Sequence, residues 1–235
     1  MIHYLVAIYY RIIIIINDLF NTSIYKKIKN EYQAIQLGKK HNYVSGSNVY
    51  LGKYLNEKVI IKGFDIFKLY KNEINILNIL NQSNFVPGIL KVSKKYFIEE
   101  YVDGQTFDEY LKENMVNDKI LKQIIEYLDY LYSYKIVHRD IRPENIIINQ
   151  GNIKVIDYGC AIKVDNKLFK FPLRVEKTLG EKYKNHDYWD DASSFYNILK
   201  PYVKDDNEFL LEIKKREKRL IYERESWYCF FNSSL

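Results

Sequence analysis

The chain has 235 residues, 47% of them hydrophobic and 28% charged, with a formal net charge of +6. That length can bury one core, with no internal repeat or Pro/Gly/Ser linker to divide it further, and that hydrophobic fraction excludes a disordered polypeptide. The moderate positive charge suits nucleotide phosphates, anionic glycans, membrane surfaces or nucleic acid without choosing among them.

The first twenty residues carry an unbroken run from Ile12 to Ile16, flanked by Tyr4, Tyr9 and Tyr10 and interrupted by Arg11. A spanning helix wants roughly 20 mostly apolar residues, and a central Arg costs roughly 2.5–3.5 kcal/mol on insertion scales. A signal peptide fits badly as well, since no basic start or small-residue cleavage site is present. The favoured reading is a structural extension packed on the domain that follows. The alternative is peripheral membrane attachment through residues 1–29, helped by Lys26, Lys27 and Lys29.

Further on, the stretch Tyr43 to Gly52 opens with a turn whose only glycine is Gly46, beside which Ser47 and Asn48 tolerate tight geometry. The β-branched run Val59-Ile60-Ile61 reads as a strand ending at Lys62. Glu73 then opens a run whose Ile74, Leu77 and either Asn78 or Leu80 suit one face of a short helix. Tyr96-Phe97-Ile98-Glu99-Glu100 is a further strand, ending in Tyr101-Val102-Asp103-Gly104. Thr106 to Glu109 starts a helix with a cap. Between Asn117 and Tyr134, Ile120, Leu121, Ile124, Ile125, Leu128 and Leu131 recur at helical spacing, which describes a buried core helix without chemistry of its own.

Directly after that helix comes the most informative stretch, His138-Arg139-Asp140-Ile141-Arg142-Pro143-Glu144-Asn145. Two β-branched runs follow, Ile146-Ile147-Ile148 and Ile153-Lys154-Val155-Ile156, around an Asn/Gly turn. They read as a hairpin that returns the chain at Asp157-Tyr158-Gly159 to the neighbourhood of Asn145. In that arrangement the Asp140 carboxylate can accept a proton, while Asn145 and Asp157 offer oxygen donors that can hold a metal ion.

The pattern H-R-D-x-x-x-x-N followed by a D-F-G variant resembles the protein-kinase-like superfamily. The resemblance implies an α+β, two-lobed fold with a small β-rich N-lobe and a shortened, mainly α-helical C-lobe. Its implied boundaries are an N-terminal extension over 1–30, the N-lobe over 31–102 and the C-lobe over 103–235. Val59-Ile60-Ile61-Lys62 resembles the third-strand V-A-I-K motif, so Lys62 is expected on the α and β phosphates with Glu73 orienting it. Gly46 and Ser47 take the place of the glycine-rich phosphate loop, and backbone at Glu100 and Val102 is expected to face adenine. Arg142 stands where lysine is usual in Ser/Thr kinases, and its guanidinium can grip a phosphate with a planar fork. Tyr158 replaces a phenylalanine and keeps an aromatic ring for packing. Asp191, in Tyr188-Trp189-Asp190-Asp191, is expected to brace the catalytic-loop backbone.

No A-P-E motif follows, and Glu208 to Tyr222 offers one long charged helix before the aromatic tail Trp227 to Phe231. A contracted lobe of this kind is similar to the small atypical kinases of bacteria and viruses, some of which act on sugars. The implied activity is transfer of the ATP γ-phosphoryl, with Mg²⁺, to a hydroxyl acceptor. Protein Ser/Thr is favoured, a saccharide or other small molecule is the alternative, and a non-catalytic nucleotide-binding scaffold is a second class. No specific nucleic-acid partner is expected. Cys160 and Cys229 lack metal-ligand spacing, which suggests a reducing, cytoplasmic setting, with contact at a membrane surface as the variant. Cys160, just past Asp157, is expected as a small buried packing residue, with a reactive thiol as the alternative.

Overall fold

The computed structural model describes residues 24–42, 47–64, 67–165, 188–204 and 206–223. The apolar run at Ile12 to Ile16, Gly46 in its turn, the stretch around Leu179, and the tail with Trp227 and Cys229 lie outside them. The described residues fall into two compact units that divide between Val102 and Asp103.

The first unit begins with helix α1 (Ile24–Glu31) and continues with strands β1 (Ile35–Asn42), β2 (Ser47–Tyr54) and β3 (Glu57–Phe64). Helix α2 (Phe67–Leu80) and strands β4 (Ile89–Val92) and β5 (Tyr96–Glu100) complete it. The strands form one antiparallel sheet in the order β1-β2-β3-β5-β4. Leu55 and Asn56, at φ 51° and 68°, make the two-residue turn between β2 and β3, the hand of turn that matches strand twist.

Strand alternation sorts the side chains of the sheet onto two faces. Val59, Ile61, Tyr96 and Ile98 point to one face and pack with Tyr25 and Ile28 of α1. On the other, Phe64 stacks on Phe97 and meets Tyr70 of α2 edge-on. Tyr25 and Ile28 thus belong to the core of the sheet, so the expected boundary at residue 30 falls inside a helix of this unit.

Helix α2 begins at Phe67, well before Glu73, and buries Leu69, Tyr70, Asn72, Glu73, Ile76, Leu77 and Leu80. Leu77 and Leu80 are buried as expected, whereas Asn78 is exposed and Ile74 half-buried, with Ile76 completing the inward stripe.

The second unit opens with β6 (Gln105–Thr106), α3 (Phe107–Glu113), α4 (Asp118–Ser133) and β7 (Ile136–Val137). Thr106 closes a capping box, its hydroxyl accepting from Glu109 N–H while the Glu109 carboxylate accepts from Thr106 N–H. Helix α4 buries Ile120, Leu121, Ile124, Leu128 and Leu131 as its spacing dictates, together with Tyr127, while Ile125 at the edge of the stripe is half-buried. After a 3₁₀ turn at Pro143–Asn145, strands β8 (Ile146–Asn149) and β9 (Asn152–Val155) pair antiparallel. Their turn residues Gln150 and Gly151 both have positive φ. Strand β10 (Ile162–Lys163) pairs with β7, and β11 (Tyr188–Trp189) with β12 (Tyr222–Glu223).

Helices α5 (Asp191–Leu199) and α6 (Glu208–Lys215) lie against α4. The long helix expected through Tyr222 stops at Lys215. Arg216 forms a fork onto the Asp129 carboxylate at 2.7 and 3.1 Å, and Lys218, at φ 60°, donates its N–H to the Asp190 carboxylate at 2.6 Å. These tertiary bonds take the chain out of helix where charge composition alone would have extended it.

Candidate active site

In the first unit the site centres on Lys62. Its register opposite Phe97, with Ile60 opposite Glu99, puts Lys62, Phe97 and Glu99 on one face of the sheet. The Lys62 ammonium donates to Glu73 at 2.7 Å and lies 3.6 Å from Glu99, and all three side chains are nearly inaccessible. Glu73 reaches Lys62 from the middle of α2, so it is not a first-turn carboxylate held by the helix dipole. The sequence pattern assigns Glu99 no role; its one signal there is a charge two residues after Phe97, on the same side of the strand.

Ser47 is the first residue of β2 and is buried, while Gly46 lies outside the described residues. Of the backbone groups at Glu100, one is engaged within the sheet. Its N–H donates to the carbonyl of Gly88 at 2.9 Å and its carboxylate accepts the Gly88 N–H, so that N–H is already spent within the sheet edge. Val102 follows the strand and is half-buried.

The second unit holds the loop from His138 to Asn145 in a fixed form. Asp191 sits at the start of α5, fully buried, and its carboxylate accepts the N–H groups of His138 at 2.6 Å and Arg139 at 3.0 Å. Burial pushes its pKa up to about 7, against the pull of those two donors. Arg139 adopts φ 68° and is buried with its guanidinium 5.1 Å from the Trp189 ring centroid. This turn of backbone is uncommon for an arginine and is held by its surroundings.

His138 ties the loop to the hairpin. Its Nδ1 accepts the N–H of Asp140 at 3.3 Å, which leaves Nε2–H to donate to the carbonyl of Ile156 at 3.2 Å. The imidazole also meets the Tyr158 ring edge-on at 4.6 Å. The Tyr158 hydroxyl, which replaces a bare ring edge, pairs with the hydroxyl of Tyr127 on α4 at 3.1 Å. Tyr127 is wholly buried and its phenol is pushed well up, first by burial and then by the charges of Tyr158 and Asp191.

Asp140 is therefore presented on a braced loop. Its Oδ2 accepts from the Asn145 amide at 3.0 Å, and the same amide donates to the Asp140 carbonyl at 3.0 Å. With both amide hydrogens turned toward Asp140, Asn145 has its Oδ1 as the oxygen to offer a cation. The Ile156 N–H donates to the Asn145 carbonyl at 2.9 Å, so the hairpin brings Asp157 one residue from Asn145, as its turn chemistry implied. Asp157 takes the left-handed conformation at φ 64° and ψ 70°, a geometry Asp accepts more readily than most residues.

Two hard oxygen donors of this kind fit Mg²⁺, which keeps several waters and binds one or two protein groups beside phosphates. Among the described residues no group of three or more His, Cys, Asp and Glu side chains could hold a metal, which separates this arrangement from a closed all-protein cage. Arg142, about half-exposed, lies 3.7 Å from Asp140 and 4.0 Å from Glu144. Cys160 is half-buried, so it is not the fully packed residue expected.

A family model for the protein kinase domain matches residues 32–179. The MAP kinase kinase kinase SSK2 of Saccharomyces cerevisiae is 36% identical over 110 residues, covering 43% of this chain and 7% of that protein. A probable serine/threonine-protein kinase, PknB, of Lactococcus lactis is 31% identical over 135 residues, covering 51% of this chain and 21% of that one. The matched stretch is thus a small part of each relative's length. The family match starts at Tyr32, runs through the sheet with Lys62 and Glu73, and includes the loop from His138 to Asn145 and the turn at Asp157. With an α+β arrangement of an antiparallel sheet followed by mainly helical structure, the chain belongs to the protein kinase domain family.

Proposed function

We propose that this chain is an ATP-dependent phosphotransferase that acts on a hydroxyl, with protein Ser/Thr as the favoured acceptor. The observation that carries the reading is the loop of the second unit. There Asp140 is aimed by Asn145 while Asp191 fixes the backbone on which it sits. An immobile carboxylate is what a general base needs, because its reach to the acceptor hydroxyl must be set before the reaction.

In the proposed reaction the acceptor oxygen forms a bond to the γ-phosphorus as the bond from that phosphorus to the ADP oxygen breaks. The acceptor proton passes to Asp140. Lys62, held by Glu73, neutralises phosphate oxygens of the nucleotide, and Arg142 offers its guanidinium to the moving phosphoryl group. Asn145 Oδ1 and the Asp157 carboxylate would hold Mg²⁺, which supplies charge neutralisation on the phosphates. The preference for protein over sugar rests on the His-Arg-Asp form of the loop and on the kinase names of the two relatives.

The test is transfer of radiolabelled γ-phosphate to Ser/Thr peptides and, separately, to purified glycans, with wild-type protein and Asp140→Ala. Label entering peptide, and lost in the variant, is the expected result. Label entering only glycan moves the acceptor to saccharide. Full transfer by Asp140→Ala, or ATP binding with no transfer to anything, overturns the catalytic reading in favour of a nucleotide-binding scaffold.

A further inference from the structure

Lys62 has a second buried carboxylate that the family pattern does not call for. Glu73 makes the close contact at 2.7 Å, and Glu99 stands 3.6 Å from the same ammonium on the neighbouring strand. The Lys62 side chain is 5% exposed, that of Glu73 1% and that of Glu99 6%. Two carboxylates therefore share one ammonium where water is almost excluded. A buried ion pair of this kind is weak evidence for a stabilising role, because the cost of taking its charges out of water can exceed what their attraction returns. The position also breaks the local rule, since Phe97 and Phe64 on this face are apolar and an apolar side chain would satisfy the alternation at residue 99.

Resting on the kinase reading above, we propose that Glu99 is a positioning residue that competes with nucleotide phosphate for Lys62. It thereby sets how tightly this chain holds a nucleotide. Glu73 is close enough to fix the ammonium alone. What Glu99 adds is an opposing claim on its charge, which a phosphate must overcome, and a negative charge that repels the phosphate directly.

Glu99→Gln keeps the volume and most hydrogen-bonding capacity while removing the charge. Calorimetric titration of the full chain with a non-hydrolysable ATP analogue and Mg²⁺, and separately with adenosine, reads the effect. The triphosphate should bind about five- to thirty-fold tighter to Glu99→Gln than to wild type, with adenosine unchanged. Glu73→Gln should move triphosphate binding the other way. A merely structural role for Glu99 predicts weaker binding of both ligands or a parallel shift in both. An independent reading comes from NMR titration of the Lys62 amine, whose midpoint should fall when a neighbouring carboxylate is removed. An unchanged midpoint, or triphosphate binding that is not tightened by Glu99→Gln, overturns this inference while wild-type binding leaves the kinase reading intact. Wild-type protein that binds neither ligand overturns both.

Discussion

Replacing Asp191 with Ala removes the one side chain that accepts both the His138 and the Arg139 N–H. Each buried donor that loses its acceptor costs about 1–3 kcal/mol, so the pair implies a loss of about 2–6 kcal/mol. That is a large share of the roughly 5–15 kcal/mol by which domains are ordinarily stable. The loss should depend on pH in a defined direction. The Asp191 pKa is raised from 3.8 to about 7 in the folded chain, mainly by burial. A raised folded pKa means the native state holds a proton the unfolded chain has released. Its contribution is therefore complete below the unfolded pKa and is lost as pH rises through about 7. Within that window the contribution declines by up to about 1.4 kcal/mol per pH unit, or about 3 kcal/mol between pH 4.5 and 6.5. Urea unfolding followed by tryptophan fluorescence, with Trp189 two residues away as a probe, measures it in both proteins across that range. The gap between wild type and Asp191→Ala should narrow as pH rises and level off above pH 7. A gap that stays constant, or widens with pH, refutes the assignment of a burial-dominated carboxyl.

Other substitutions test separate links of the same chain of reasoning. Tyr127→Phe and Tyr158→Phe each break the bond between buried hydroxyls, at about 0.5–1.5 kcal/mol; in a double-mutant cycle the pair together should cost no more than about one single change. Gly104→Ala places a Cβ 2.4 Å from the Ile148 carbonyl at a φ of 137°, so a loss of about 3 kcal/mol or more is expected in thermal unfolding. Thr106→Ala removes the capping box of α3 and should cost about 1 kcal/mol, read as a lower urea midpoint with unchanged slope. Asp157→Ala should abolish phosphate transfer while leaving a cooperatively folded protein, less stable by about 1–2 kcal/mol because alanine accepts φ 64° less readily than aspartate.

The parts of the fold that the sequence made readable are those whose geometry is written in consecutive residues. The hairpin from Ile146 to Val155 is two β-branched runs around a turn whose Gly151 accepts positive φ, and it forms as its composition dictates. Helix α4 shows its inward stripe in its spacing, and the Thr106 cap stands three residues from its Glu109 partner. The same locality explains why Asp140, Asn145 and the approach to Asp157 lie together as their order in the chain implies: a short hairpin leaves the chain little choice. Where long-range bonds decide, sequence reading fails in a predictable direction. Charge composition extends α6 to Tyr222, but Arg216 is claimed by Asp129 and Lys218 by Asp190, and no window of neighbouring residues contains either contact.

Glu99 and Tyr127 show the same limit at the site itself. Glu99 sits in a strand whose alternation is otherwise apolar, and only the pairing of β3 with β5 reveals that its carboxylate reaches Lys62. Tyr127 occupies a helical position that any large apolar residue could fill, so its hydroxyl has meaning only once Tyr158 is known to lie opposite. The family pattern marks which atoms do chemistry. It is silent on the groups behind them, because those groups need only supply a charge or a hydrogen bond from whichever strand or helix is near. Tyr158 makes the dependence plain: the tyrosine next to Asp157 carries a hydroxyl into a buried site, where it meets a residue far away in sequence. Tyr127 of α4 supplies that bond, 31 residues earlier in the chain.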